Sequence, residues 1–172
     1  VYFSVWRRNA EGLWRVVLDA GSDLTAAAPE FADGVFHAAA GPAWTDSLPP
    51  ATAAGATGDL RRVETAFIAT ARVDARKAYT DNLAEHPRMD RDRLPPLIDR
   101  SAVIEYVGKQ PAMTSAHVIR VETAAAADLG WTFGVCEYRI GAKTQGAGFT
   151  RVWKRDAAGY WRIVADLLNM VE

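Results

Sequence analysis

Only one cysteine, Cys136, occurs in the 172 residues, so no disulfide can close within the chain and thiol usage leaves the redox compartment open. It sits in the strand-like run GVCEYR, where a small buried hydrophobe is expected and a nucleophile is not. No run of 18 apolar residues is present, so no helix is expected to cross a membrane. An excess of one charge is missing too: 20 Lys and Arg stand against 21 Asp and Glu, a net charge of -1. Neither nucleic acid nor an anionic membrane is therefore expected as a partner. The arginines of residues 88–100 alternate with Asp90, Asp92 and Asp99, as in a solvated strand end and loop. His37, His86 and His117 lack the spacing of a metal-ligating motif. GxSxG, Walker and GxGxxG motifs are absent, and GAKTQGAG has no helix pattern behind it to hold phosphate. No cofactor and no metal is expected.

What the chain does have is a long echo. Residues 5–19, VWRRNAEGLWRVVLD, return as VWKRDAAGYWRIVAD at an offset of 147 residues, with nine of fifteen positions identical. The matched pairs include Trp6 with Trp153, Trp14 with Trp161, Gly12 with Gly159 and Asp19 with Asp166. That period exceeds a solenoid unit and suits a whole domain. The expected organisation is a terminal hairpin of a preceding domain copy in residues 1–20, an Ala/Gly/Pro-rich linker in 21–58 and a complete domain in 59–172. Val1, within the hairpin and not a methionine, suggests a processed or truncated product. A lone hairpin is marginal in water, and this one would expose Tyr2, Phe3, Trp6, Leu13 and Trp14 unless it docks.

In the linker, Pro42, Pro49 and Pro50 break any long helix. Residues 29–39 are expected to form a short helix, with Phe31, Phe36 and Trp44 as latches onto a domain surface. Asp59 is expected to cap a helix whose stripe is Leu60, Val63, Phe67 and Ala71. A second helical piece follows over 75–83 and runs to a break at Pro87. Residues 88–91 read as a short strand, and Ser101 as the cap of a third helix ending near Gly108. Four strands then follow at 115–124, 131–140, 147–155 and 160–168, separated by the turn-forming stretches ADLG, GAKTQG and DAAG. Helices first and an antiparallel meander afterwards is the α+β pattern.

This order, with the strand motif DLGWTFG and the closing FTRVWKRDAAGYWRIVAD, resembles the nuclear-transport-factor-2-like superfamily, which includes ketosteroid isomerases and SnoaL-like cyclases. Within it the chain looks most like an uncharacterised bacterial branch with tandem copies. The resemblance covers residues 59–168, and its terminal part again covers 1–19. It implies an α+β cone: a curved antiparallel sheet with the N-terminal helices on its concave face. It also implies a cavity for a small ligand, a homodimer, and a periplasmic or secreted parent protein, with a cytoplasmic one as the alternative. The isomerases' catalytic phenol would fall at Phe67 and their aspartate base at Arg91, one residue from Asp90. Neither residue can do that work, which argues against isomerase chemistry of that kind.

Strand alternation assigns faces. Trp161, Ile163, Ala165 and Leu167 form the apolar face of the last strand. A tight DAAG turn would put Trp153 opposite Arg162 on the outer face, a cation-π pair suited to a dimer surface together with Phe149. Thr150 and Val152 then turn inward beside Trp131, Phe133, Val135 and Glu137. His117 shares a face with Ile119 and Val121. The expected ligand-binding residues are Phe67, Tyr79, Arg91, Trp131, Phe133 and Thr150, and the expected ligand is apolar or carboxylate-bearing. His117 and Glu137 are the candidate catalytic acid and base of an alternative lyase or isomerase. A third alternative is a structural dimerisation module using Phe149, Trp153 and Arg162.

Overall fold

The computed structural model describes residues 2–23 and 53–171. The short helix expected at 29–39, the latches Phe31, Phe36 and Trp44, and His37 lie outside the described residues. Helix α1 (Ala53–Ala71) is amphipathic: Ala56, Leu60, Phe67 and Ala71 are buried along one stripe, and Glu64 lies buried in the middle of it. It starts six residues before Asp59, within the stretch read from the sequence as linker. Asp59 is no cap; it pairs with Arg62 and Arg155. Helix α2 (Ala75–Asn82) is capped by Asp74, whose carboxylate accepts from the Lys77 N–H at 2.8 Å. Helix α3 (Arg100–Val107) is capped by Asp99, which accepts from the Ala102 N–H at 2.8 Å, in place of the expected Ser101.

Strand β3 (Leu83–Arg91) is longer than expected and includes Pro87. It forms one edge of the sheet, where a missing N–H is tolerated, and its register is irregular between Leu83 and Arg88. Strands β4 (Met113–Thr123), β5 (Leu129–Ile140), β6 (Lys143–Arg155) and β7 (Trp161–Met170) form the expected meander. The sheet order is β3-β7-β6-β5-β4. Because β3 runs parallel to β7, the sheet is mixed and not wholly antiparallel.

The concave face receives α1 and carries the core, with Phe149, Trp153 and Ile163 each 1% exposed or less. Gly134 of β5 permits that packing, since a Cβ there would run into the His117 carbonyl and the Phe149 ring.

The N-terminal echo folds as a separate two-stranded ribbon of β1 (Tyr2–Arg8) and β2 (Trp14–Gly21). It lies over the convex face: Arg7 pairs with Glu122 at 3.2 Å, Asn169 donates to the Gly21 carbonyl, and β2 packs against β7. Thus the domain's helices cover one face of its sheet and the ribbon the other.

Candidate functional site

Between the helices and the concave face, towards the C-terminal end of β7, lies a cavity of about 290 Å³. Its wall is largely apolar, from Ala71, Val107, Met113, Ile140, Leu168 and Met170. Phe67 closes its inner end, edge-on to Tyr79 at 5.0 Å and to Trp153 at 5.9 Å between ring centroids. Polar atoms come from three phenols, Tyr79, Tyr106 and Tyr138, from Arg91 and Arg151, and from Asp92, Gln110 and Gln145.

Two arginines and two carboxylates form a closed network beneath these groups. Arg151 bonds Glu64 through Nη1 and Asp166 through Nε, the latter at 2.7 Å. Arg91 reaches the other Asp166 oxygen at 2.6 Å. Tyr79 donates its O–H to Asp166 at 3.0 Å, while Glu64 accepts from Thr132 at 2.8 Å and from the Trp153 indole at 3.0 Å. The Arg151 guanidinium is sandwiched between Phe67 and Phe149, about 4.5 and 4.4 Å from the ring centroids. All four charged side chains are at most 9% exposed.

This geometry fixes the protonation states. Burial disfavours the Asp166 charge, but Arg91 and then Arg151 outweigh it and hold its pKa below the usual carboxylate range. Burial likewise opposes the charges of Arg91 and Arg151; their carboxylate partners prevail and raise both. The Tyr79 phenol is pushed up to about 12, first by burial and then by the Asp166 charge. Burial also raises Tyr138 and, less strongly, Tyr106. At neutral pH the cavity therefore presents phenolic O–H groups and fully charged guanidiniums.

Of the residues expected to line a cavity, Phe67, Tyr79 and Arg91 do so. Trp131, Phe133 and Thr150 do not. They belong to the convex face, because Thr132 and Arg151, their strand neighbours, point to Glu64 in the core. His117 and Glu137 also lie on the convex face and are exposed, with the Glu137 carboxylate accepting from Ser115 at 2.8 Å. They cannot act as acid and base in this cavity. Phe149 and Trp153 are core residues, so the proposed outer-face dimer contact loses two of its three members. The third, Arg162, bonds Asp156 at 2.9 Å and the Asp81 carbonyl at 2.6 Å. Cys136 is buried, and burial raises its pKa, as befits a packed thiol.

Glu64, Arg151, Asp166 and Tyr138 were missed by sequence reasoning. A signal existed for the first: Glu64 interrupts the stripe between Leu60 and Phe67. Arg151 likewise stands between Phe149 and Trp153 on one face of a strand.

The architecture is the nuclear-transport-factor-2-like cone fold. A putative ketosteroid isomerase from Parabacteroides distasonis matches 67% of this chain and 88% of its own, at 16% identity and a TM-score of 0.55. An NTF2-like protein of unknown function from Pseudomonas putida matches 69% of this chain and 89% of its own, at 13% identity and a TM-score of 0.57. An LEH-like epoxide hydrolase from M. tuberculosis matches 67% of this chain and 84% of its own, at 11% identity and a TM-score of 0.52. At these identities the likeness is one of fold. No protein-family model and no curated protein matches the sequence.

Proposed function

We propose that the cone is a binding module for a small ligand with an apolar body and a neutral oxygen-bearing end. The observation that carries this reading is the charge balance under the cavity. Arg91 and Arg151 are matched one for one by Asp166 and Glu64, so a carboxylate ligand would add an unmatched negative charge to a buried site. A hydroxyl or carbonyl oxygen adds none. It can accept from the Tyr106 or Tyr138 phenol, the Tyr79 proton being given to Asp166, or from Arg151 Nη2, which has no protein acceptor among the described residues. The carboxylate half of the expected ligand class is thus disfavoured, and the apolar half is retained. A cavity of about 290 Å³ lies at the small end of ligand pockets.

The fold neighbours include a putative ketosteroid isomerase and an LEH-like epoxide hydrolase, but the cavity favours binding over proton abstraction. Asp92 is the one carboxylate lining it among the described residues. Its oxygens accept from the Asp23 and Met170 backbone N–H groups, at 3.4 and 3.2 Å. No imidazole lines it among the described residues.

Calorimetric titration with a neutral aromatic alcohol and with the matching aromatic carboxylate tests the reading. The alcohol should bind, the carboxylate should bind at least about tenfold more weakly, and Met113→Trp should abolish both by filling the cavity. Equal binding of the two, or binding unaffected by Met113→Trp, would count against it.

A further inference from the structure

The two ribbons agree in geometry as well as in sequence. In β1–β2 the register is Val5 to Leu18, then a bulge, then Trp6 to Val16; in β6–β7 it is Val152 to Ala165, a bulge, then Trp153 to Ile163. Each pair lies 147 positions from its counterpart. The turns match as well. Asn9 and Asp156 each accept from the glycine N–H three residues on, at 3.0 and 2.9 Å, and Gly12 and Gly159 have φ of 78° and 86°. Arg8 stacks on Trp14 at 5.0 Å as Arg155 stacks on Trp161 at 4.7 Å. Ser4 donates across the strands to Asp19 at 2.8 Å, where Arg151 donates to Asp166.

The two ribbons differ in what covers them. In β6–β7 the face bearing Trp153 and Ile163 lies under α1; Trp153 is fully buried and its indole donates to Glu64 at 3.0 Å. In β1–β2 the corresponding Trp6, Trp14 and Val16 are 55%, 57% and 46% exposed. The opposite face, with Phe3, Val5 and Arg7, is the one turned to the convex sheet, as the Arg7–Glu122 pair fixes. The face of the ribbon equivalent to the convex side of β6–β7 is thus the one turned to the convex side of the sheet. In addition, among the described residues β1 pairs only with β2, whereas β6 also has β5 on its other side. An unpaired edge beside an uncovered aromatic face is what a ribbon shows without the rest of its sheet and helices.

We propose that β1–β2 is the closing ribbon of a further cone-fold unit, and that its exposed Trp6, Trp14 and Val16 face seats that unit's first helix. The occupant is an amphipathic helix of the α1 type, with an apolar stripe interrupted by a carboxylate that accepts from the Trp6 indole. The two units then stand convex face to convex face within one polypeptide. In that arrangement the ribbon acts as a rigid strap between two ligand cavities.

The test joins a second copy of residues 53–147 directly ahead of Val1, which supplies α1, α2, β3, α3, β4 and β5 at the offset set by the echo. Trp6 is read as the difference in fluorescence and acrylamide quenching against the Trp6→Phe variant. We expect a blue shift, a quenching constant at least about threefold lower, and at least about tenfold slower amide exchange in β1. A folded two-unit chain, judged by circular dichroism, in which Trp6 stays as quenchable as before would overturn the proposal. If the added unit does not fold, a synthetic peptide of residues 53–71 is titrated into the original chain. Saturable protection of Trp6, lost when the peptide carries Glu64→Lys, supports the seat, and no protection overturns it. If light scattering of the original chain shows a dimer that Trp6→Glu dissolves, the face takes another ribbon and not a helix, and the proposal also falls.

Discussion

Arg151→Met should be among the most damaging single substitutions in the domain that leave the apolar core at full volume. The side chain is 3% exposed and serves two carboxylates that are at most 1% exposed. Without it Asp166 keeps Arg91, but Glu64 keeps only the neutral donors of Thr132 and Trp153. Removing one member of a buried ion pair costs about 3–5 kcal/mol, because the other charge is left without a partner. Against a domain stability on the order of 5–15 kcal/mol, that leaves a weakened fold. Glu64→Gln should cost less, about 1–3 kcal/mol, since its amide oxygen still accepts from Thr132 and Trp153 while Arg151 retains Asp166. The double variant then contains one balanced pair, Arg91 with Asp166, so its cost should fall below the sum of the single costs by about 1–3 kcal/mol. Arg151→Lys keeps the charge but cannot reach both carboxylates with a planar fork, and should lie between Met and wild type. Urea unfolding followed by tryptophan fluorescence, with the slopes compared, reads each value. Additivity within about 0.5 kcal/mol, or an Arg151→Met cost below about 1 kcal/mol, would refute the network as described.

The same network sets the pH limits of the fold. Asp166 has a folded pKa below its unfolded one, so its contribution is present above about pH 4 and is lost as pH falls through the lower folded value; acid unfolding should be visibly less pH-dependent in Asp166→Asn. Tyr79 is raised to about 12, so its contribution holds below about pH 10 and disappears as pH climbs to the folded value; Tyr79→Phe should flatten the alkaline limb of a pH–stability curve. Trp153→Ala should cost about 3–5 kcal/mol without changing the molecular mass by light scattering, whereas a residue at a dimer surface would give the converse. Gly134→Ala should destabilise by about 1–3 kcal/mol through overpacking against the His117 carbonyl and Phe149, and an unchanged melting temperature would show that the strands can part there at no cost.

Helix order, meander and cone were legible because they follow from local signals: the Leu60, Phe67 and Ala71 stripe, alternating strands, and glycine at the reversals. Face assignment on the closing hairpin was not, and one slip accounts for it. The DAAG turn places a left-handed glycine, Gly159, before the strand resumes, and it pairs Lys154, not Trp153, with Arg162. A one-residue change of register turns every side chain of a strand to the other face. Trp153, Phe149 and Arg151 therefore moved from the expected exterior to the core, and Thr150 left it. The bulge between Val152 and Trp153 then changed the phase along β7, which brings Asp166 onto the concave side with Ile163.

The remaining gap has a different origin, since Glu64, Arg151 and Asp166 are separated by up to 102 positions (166 minus 64) and no spacing joins them. Each looks locally like a surface charge out of place, and only the fold brings them together with Arg91 so that the four charges balance. The echo nevertheless held a clue. Asp166 is among the positions shared with the N-terminal ribbon, where Asp19 is bonded by Ser4 from the neighbouring strand in the way that Arg151 bonds Asp166. A carboxylate paired across the same rung of both ribbons is a constraint of ribbon architecture before it is part of a cavity. In the cavity floor Arg91, Tyr79 and Glu64 come from β3, α2 and α1 and gather around the Arg151–Asp166 rung of β6 and β7. Tyr79→Phe, which leaves that rung intact but removes the O–H donated to Asp166, should weaken ligand binding and cost about 1–3 kcal/mol of stability at neutral pH. Asp166→Asn should lower both.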